Sequence, residues 1–337
     1  MYKAKFYLEF GVAFVISIFL ISSFEILEST NMKYEVKKIK VDPVDLEQLG
    51  TKEKFWFRFK EHDSKWLFKY SRKDTGEHWS EKVAEQLCKS LGIPHVIYYM
   101  AEMNGRSGVV SPNIISPHSR MVMGNEVLHN ETPNSYPEPL INSQKQVRVK
   151  EHTVTRVLAC LDNGVLPPKT WQKNQLNSGD IFCGYLMLDA LISNQDRHHE
   201  NWAIVVDMTS SEKYLCETYD HAASLGRELK DEERKERLLT KDKNRMVATF
   251  VTKARSEIFR FKKDKKPLFT LDAFFEAVSE RPSAKKYWIS KLKELTDSKI
   301  NDIFNAIPDD VISSEAREFA LQMVIENKKR LLTDERV

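Results

Sequence analysis

Asp196 and Asn201 stand five residues apart in "DRHHEN", inside the stretch "LISNQDRHHENWAIV" from Leu191 to Val205. A carboxylate can accept the proton of an attacking hydroxyl, and a nearby amide oxygen can help to hold a hard divalent cation. A short loop of set length fixes the separation of the two groups, so the interval carries more information than the letters within it. Three histidines close by, His198, His199 and His221, raise transition-metal binding as a rival. Neither a helical i,i+4 histidine pair nor a cysteine partner supports that rival. His198 is assigned instead to bracing the loop by hydrogen bonding. Arg197 is assigned to an ion pair, either with a structural carboxylate or with a phosphorylated residue.

A cation that organises phosphates needs a second carboxylate, and Asp220 in "YDHAASLG" is placed to supply it. "NWAIVVD" and "YLCETYD" alternate like strands across "MTSSEK", so a hairpin of two strands of about six residues should return Asp220 beside Asn201. The phosphates also need a cation from the protein. Lys69 lies on a strand in "LFKYS", ahead of a helix whose apolar stripe is Val83, Ala84, Leu87, Cys88 and Leu91. At about 100° per residue Glu81 borders that stripe and Glu85 points further from it, which makes Glu81 the expected partner of Lys69. Lys69, Glu81, Asp196, Asn201 and Asp220 occur in the order in which a kinase presents its lysine, helix carboxylate, base and two metal ligands.

The elements that must position these residues are legible in outline. "KFWFRF" (Lys54 to Phe59) and "KWLFKY" (Lys65 to Tyr70) alternate and are aromatic-rich, joined by the polar "KEHDS", which predicts a hairpin. "HWSEKVAEQLCKSLG" switches to helical period and stops at Gly92 and Pro94. "HVIYYMAEMNGRSGVVSPNII" returns to strands around an Asn104–Gly105 turn. Residues 117–150, rich in Pro, Asn, Ser and His, are expected to connect with little regular structure. Helices dominate afterwards: His152 to Leu161, Ser178 to Ser193, and several from Asp231 onward. The charged Arg227–Arg245 stretch follows Asp220 and is expected to be a solvated helix that also shapes the substrate site. Ser224 is a candidate for self-phosphorylation.

Bulk properties narrow the function classes. With 337 residues, 41% hydrophobic, 30% charged and a net charge of +3, the chain fits a globular protein with a sizeable core and has no overall basic field calling for nucleic acid. "KKDKK" (Lys262 to Lys266) is taken as solvated loop charge. Cys88, Cys160, Cys183 and Cys216 form no CxxC pair and read as buried free thiols in a reducing, cytoplasmic setting. "FGVAFVISIFLISSF" (Phe10 to Phe24) is uncharged but short for a membrane span. It is an anchor, an export signal, or an extension ahead of a natural start at Met32, where "MKYEVKKIKV" begins. Membrane contact is expected only in the first case. The resulting division is 1–31 as this extension, 32–116 as a β-rich nucleotide-binding lobe, 117–150 as a connector, and 151–337 as a helical catalytic lobe.

Taken together, "HWSEKVAEQLCKSLGIP", "GYLMLDALISNQDRHHENW" and "YDHAASLG" resemble the HipA-like serine/threonine protein kinases, an atypical branch of the protein-kinase superfamily, over roughly Phe55 to Gly226. The resemblance implies an α+β, two-lobed protein-kinase-like fold, use of ATP and Mg²⁺, and transfer of the γ-phosphate to Ser or Thr of a protein substrate. It implies Asp196 as catalytic base, Asn201 and Asp220 as metal ligands, Lys69 as the phosphate-binding lysine and Glu81 as the helix carboxylate. An antitoxin-like regulator is a further partner class, and adenine is expected near the strand ending in "VVSPNII". One departure bears on the phosphates. Members carry a Ser-Gly-Gly-type loop before the lysine strand, whereas "KEHDS" has no glycine to bring backbone amides close. "RKDTGEHW", with Gly76, is the alternative. A lipid or small-molecule kinase and an inactive nucleotide-binding pseudokinase stay open beside the protein-kinase reading.

Overall fold

The computed structural model describes residues 33–41, 45–46, 53–59, 64–139, 148–171 and 175–337. The hydrophobic run at 10–24 and most of the "KEHDS" turn lie outside these residues. Among the described residues no helix is long and apolar enough to cross a membrane.

Six strands form the first sheet: β1 (Val36–Lys38), β2 (Asp45–Leu46), β3 (Lys54–Phe57), β4 (Trp66–Tyr70), β5 (Tyr99–Met103) and β6 (Arg106–Pro112). Their spatial order is β1-β5-β6-β4-β3-β2. The two-residue alternation of β4 does the sorting. Phe68 and Tyr70 pack with Phe55, Phe57 and Val110 on one face, with Phe55 and Phe68 stacked at 5.3 Å. Lys69 points to the opposite face, in register with Val109. The β5–β6 turn places Asn104 and Gly105 at φ 52° and 72°, the left-handed pair that a tight two-residue hairpin requires.

Between β4 and β5 runs α1 (Glu77–Leu91), closed by Gly92 at φ 69° with its N–H on the last-turn carbonyls. Its apolar stripe enters the main core together with the helices of the second lobe. The helix is buried well beyond that stripe: Glu77, Glu81, Lys82 and Glu85 are all inside. Glu85, expected to face away, instead takes a 2.7 Å ion pair from Lys82. A helix sandwiched between a sheet and a helical lobe keeps few solvent-facing positions, so angular distance from one stripe does not measure exposure here.

Residues 117–150 differ from expectation. They contain β7 (Ser119–Met123) and α2 (Gly124–Glu131). After α3 (Val154–Asp162), β8 (Val165–Leu166) and α4 (Ser178–Ile192), the hairpin β9 (Ala203–Asp207) and β10 (Lys213–Leu215) completes a second sheet in the order β7-β9-β10-β8. β7 pairs antiparallel along the whole of β9, from Ser119–Asp207 to Met123–Ala203. The reason for the difference is tertiary. "SRMVM" is too short and mixed to signal a strand alone, but it lies against a hairpin that leaves an edge to be paired.

The remaining helices are α5 (Asp231–Leu239), α6 (Val247–Phe250), α7 (Thr270–Val278), α8 (Pro282–Glu294), α9 (Asp297–Asn305) and α10 (Ser314–Thr333). Of these, α7, α8 and α10 pack against α4, of whose 15 residues all but one are buried. Its start is fixed by a capping box between Asn177 and Asp180. At mid-helix Gly184 lets the Trp288 indole of α8 lie flat against the backbone, where an added Cβ would come within 2.5 Å of the ring. The ring is fully buried, and its Nε1 donates to the Asp180 carbonyl at 2.7 Å.

Gly184→Ala therefore sets two effects against each other. Helix propensity favours alanine by about 1 kcal/mol. Overpacking costs about 1–3 kcal/mol, at the upper end here because the tethered ring cannot retreat. The expected outcome is a net loss of about 2 kcal/mol, read as a lower urea midpoint with an unchanged slope.

Candidate active site

The loop that carries Asp196 and Asn201 is built from inside the protein outward. Asp189 is a carboxylate at 1% exposure in the otherwise apolar last turn of α4. It accepts from Asn194 Nδ2 at 2.8 Å and from Arg197 Nε and Nη2 at 2.7 and 2.9 Å. Ser193 closes the helix at φ 54°, so the chain turns back over its own end. Arg197, with no exposed surface, has two further contacts. Its Nη1 donates to the Asn201 carbonyl at 2.5 Å and its Nη2 to Thr218 Oγ1 at 3.1 Å. Of the two partners expected for Arg197, it takes the structural carboxylate. His198 Nδ1 accepts from the Glu200 N–H at 3.2 Å, while His198 Nε2 lies 3.8 Å from Asp196 Oδ1.

This framework presents Asp196 at the surface of the cleft, with its carbonyl accepting from Asn201 Nδ2 at 2.7 Å. That bond turns Asn201 Oδ1 the other way, and no described residue donates to it. Asp220 arrives from the other side. The expected long hairpin is shorter than its apolar letters suggest, because β10 leaves the ladder after Leu215. Thr218 then pairs with the segment before β5: its N–H donates to the Pro94 carbonyl at 3.0 Å, and the Val96 N–H donates to its carbonyl at 3.1 Å. Asp220 follows in the left-handed region at φ 58°. Lys69 Nζ lies 3.7 Å from Asp220 Oδ2 and 5.8 Å from the centre of the Tyr98 ring. Burial first, then Glu81 and Asp220, hold the Tyr98 phenol pKa well above its usual value.

Lys69 thus meets Asp220, and the expected Lys69–Glu81 ion pair is not formed. Glu81 Oε1 instead accepts from the His221 backbone N–H at 2.8 Å and lies 3.2 Å from His221 Nδ1. The reason is positional: Glu81 lies on a buried helix face beside His221, the residue that follows Asp220. Ser224 is likewise committed, buried and donating to the His221 carbonyl at 2.7 Å, which leaves no exposed acceptor hydroxyl there. Gly76, the alternative phosphate contact, gives its N–H to the Arg227 carbonyl at 2.9 Å. Of the charged stretch 227–245, α5 covers only Asp231–Leu239. The four cysteines are free and buried. Among the described residues no group of three or more His, Cys, Asp or Glu side chains is arranged around a metal position.

A cavity of about 320 Å³ opens beside Asp196, lined also by Arg148, Val149, His152, His198, His199 and Glu257. Lys69, Asn201 and Asp220 are not among its walls. Arg148 grips Glu257 with Nε at 2.6 Å and with Nη2. His152 accepts from Trp202 Nε1 at 3.1 Å and lies 3.0 Å from the Glu257 carbonyl. The Tyr136 hydroxyl meets His199 Nδ1 at 2.7 Å. Burial, then the neighbouring imidazole charge, pushes the pKa of His152 down to about 3 and that of His199 down to about 4. None of these cavity residues except Asp196 and His198 was singled out as a site residue. Asp189 did leave a signal: one carboxylate inside "GYLMLDALI" demands a buried partner.

Two predictions follow from this framework. Arg197→Met strands the buried Asp189 carboxylate and should cost about 3–5 kcal/mol by urea unfolding, with Arg197→Lys a poor rescue because a point charge cannot repeat the forked contacts. The second concerns pH. As pH falls below about 6.5 the unfolded chain protonates at residue 152 while the folded chain does not, so this group's contribution to stability is lost toward about pH 3 at about 1.4 kcal/mol per unit. His152→Gln should flatten the difference between stabilities measured at pH 7 and pH 5.

No protein-family model matches the chain, and no curated protein sequence does. Solved structures do. The proinflammatory kinase CtkA of Helicobacter pylori superposes with a TM-score of 0.62 at 16% identity, covering 88% of this chain and 96% of that one. HipA of Shewanella oneidensis MR-1, solved with HipB and operator DNA as a toxin–antitoxin system, gives 0.52 at 11% identity, with 88% and 69% covered. Likeness at such identities is likeness of fold, and the fold of this chain is the two-lobed α+β fold of the HipA-like kinases.

Proposed function

We propose that the protein is an ATP- and Mg²⁺-dependent phosphotransferase of HipA-like type that transfers the γ-phosphate to Ser or Thr hydroxyls of a protein. The observation that carries this reading is the Lys69–Asp220 pair at 3.7 Å together with the Asp196–Asn201 loop, in which no described residue donates to Asn201 Oδ1, and which Arg197 ties to Thr218 two residues before Asp220. One carboxylate and one amide oxygen suit Mg²⁺, which keeps part of its hydration shell. Asn201 and Asp220 would hold the ion, and Lys69 would meet the phosphates. Bound there, Mg²⁺ supplies charge neutralisation on the phosphate oxygens.

The protein's own part is positioning and one proton. As the acceptor oxygen bonds to the γ-phosphorus, the bond to the bridging oxygen breaks and ADP leaves, while Asp196 takes the hydroxyl proton. The cavity beside Asp196 suits the acceptor, since it is lined by Asp196 and not by Lys69, Asn201 or Asp220. His152 and His199 on its wall, whose pKa values burial holds low, would compete poorly for that proton. A protein regulator of antitoxin type is the partner class that the HipA likeness suggests.

Purified protein incubated with labelled ATP and Mg²⁺, offered protein, lipid and small-molecule acceptors, tests the reading. Label should appear on Ser or Thr and fall by about 10²-fold or more in Asp196→Ala and in Asp220→Ala, with circular dichroism unchanged. Full activity in both variants would overturn the assignment. Label confined to lipid or a small molecule would replace the protein acceptor. Nucleotide binding without transfer would make the chain a binding module.

A further inference from the structure

We propose that Glu81 is a positioning residue for Asp220, acting through His221 as the first member of a buried line that ends on the catalytic loop. The proposal rests on the kinase reading and deepens it, because it says what sets the metal-side carboxylate in place. Five side chains form the line: Glu81, His221, Thr218, Arg197 and Asp189, each at most 2% exposed. Glu81 Oε1 lies 2.8 Å from the His221 backbone nitrogen and 3.2 Å from Nδ1. His221 Nε2 lies 2.7 Å from Thr218 Oγ1. Arg197 donates to that same oxygen at 3.1 Å and to Asp189 at 2.7 Å.

Donor and acceptor roles along the line are mutually consistent. Arg197 can only donate, so Thr218 Oγ1 accepts from it; in the tautomer whose Nε2 is unprotonated, Thr218 donates its own hydrogen to His221 Nε2. Nδ1 then carries the ring hydrogen and donates to the Glu81 carboxylate. Every member is satisfied with one polarity, running from the guanidinium of the catalytic loop to a carboxylate of the other lobe. A half-satisfied arrangement would carry the desolvation cost of its orphan group.

Geometry gives Glu81 its particular leverage. The peptide group that leaves Asp220 carries the N–H of His221, so the acceptor that holds this N–H fixes the orientation of Asp220. Asp220 needs such a restraint, because φ 58° is a conformation that residues with a Cβ rarely adopt unless their surroundings impose it. From above, the Tyr98 hydroxyl offers the Asp220 N–H only a long 3.4 Å contact. Glu81 therefore acts on the metal ligand without touching Lys69, and its formal charge matters less than its place as an acceptor.

Binding of Mn²⁺ in the presence of a non-hydrolysable ATP analogue, followed by electron paramagnetic resonance, reads this role without relying on turnover. Wild-type protein that binds no Mn²⁺ with the analogue would overturn the kinase reading and this proposal with it. If the wild type binds, Glu81→Met, which keeps the volume but offers no acceptor, should weaken Mn²⁺ binding by about tenfold or more. Glu81→Gln, whose carbonyl still accepts, should stay within about threefold. Unchanged Mn²⁺ affinity in Glu81→Met, or equal damage in Glu81→Gln, would overturn the proposal alone, the second result pointing to an ion-pair role. Should Glu81→Met fail to fold, Thr218→Val cuts the line between His221 and Arg197 and should weaken Mn²⁺ by about threefold to tenfold, an unchanged affinity overturning the proposal.

Discussion

A carboxylate sealed inside an apolar helix is the constraint on which the cleft depends. Asp189 sits where a charge is costly, and the cost is offset only if its oxygens are fully bonded in a fixed geometry. Arg197 and Asn194 meet that requirement. In doing so they curl the chain over the end of α4 and set the length of the loop. The same guanidinium reaches the Asn201 carbonyl and Thr218, so its width spaces the two arms of the cleft. A surface ion pair, free to rearrange, could not act as such a template.

The two lobes meet through several bonds of different kinds. Residues 94–96 pair with Thr218 by backbone. Glu77 on α1 accepts from Arg72 and Arg227, both at 2.7 Å, and Ser80 donates to the Ser224 carbonyl at 3.1 Å. On the opposite side the Tyr34 N–H donates to the Ala306 carbonyl at 2.6 Å, just before β1 joins the first sheet. With α1 in the main core, the helix belongs as much to one lobe as to the other. Its buried Glu77 and Glu81 make sense as inter-lobe acceptors.

Features set by local chemistry were legible in the sequence. The stop of α1 at Gly92, the Asn104–Gly105 turn, the apolar α4 and the facing of Lys69 each follow from a few neighbouring residues. So did the fold class, once strand-rich and helix-rich halves were seen in order. What stayed hidden depends on contacts far apart in the chain. β7 exists because β9 offers it an edge, and no property of "SRMVM" announces that. Glu81 was legible as an acid bordering the apolar stripe, but its burial and its partner were not, since helical periodicity cannot say whether a strand lysine or a loop histidine lies opposite. Arg148 and Glu257 are separated by 109 residues and look like ordinary surface charges until they meet at the cavity.

The loop that begins at Ser193 is held from a distance by one amide. Asn327 of α10 donates through Nδ2 to the Leu191 carbonyl at 3.1 Å and to Ser193 Oγ at 2.8 Å. The helix end beneath Asp196 is therefore completed by a residue that follows Ser193 by 134 positions. On a ribosome the sheets and α4 emerge long before this amide exists. The completed loop is thus among the last things the growing chain can acquire, and a nascent or shortened chain ending before Asn327 would hold Asp196 and Asn201 without the clasp that steadies them.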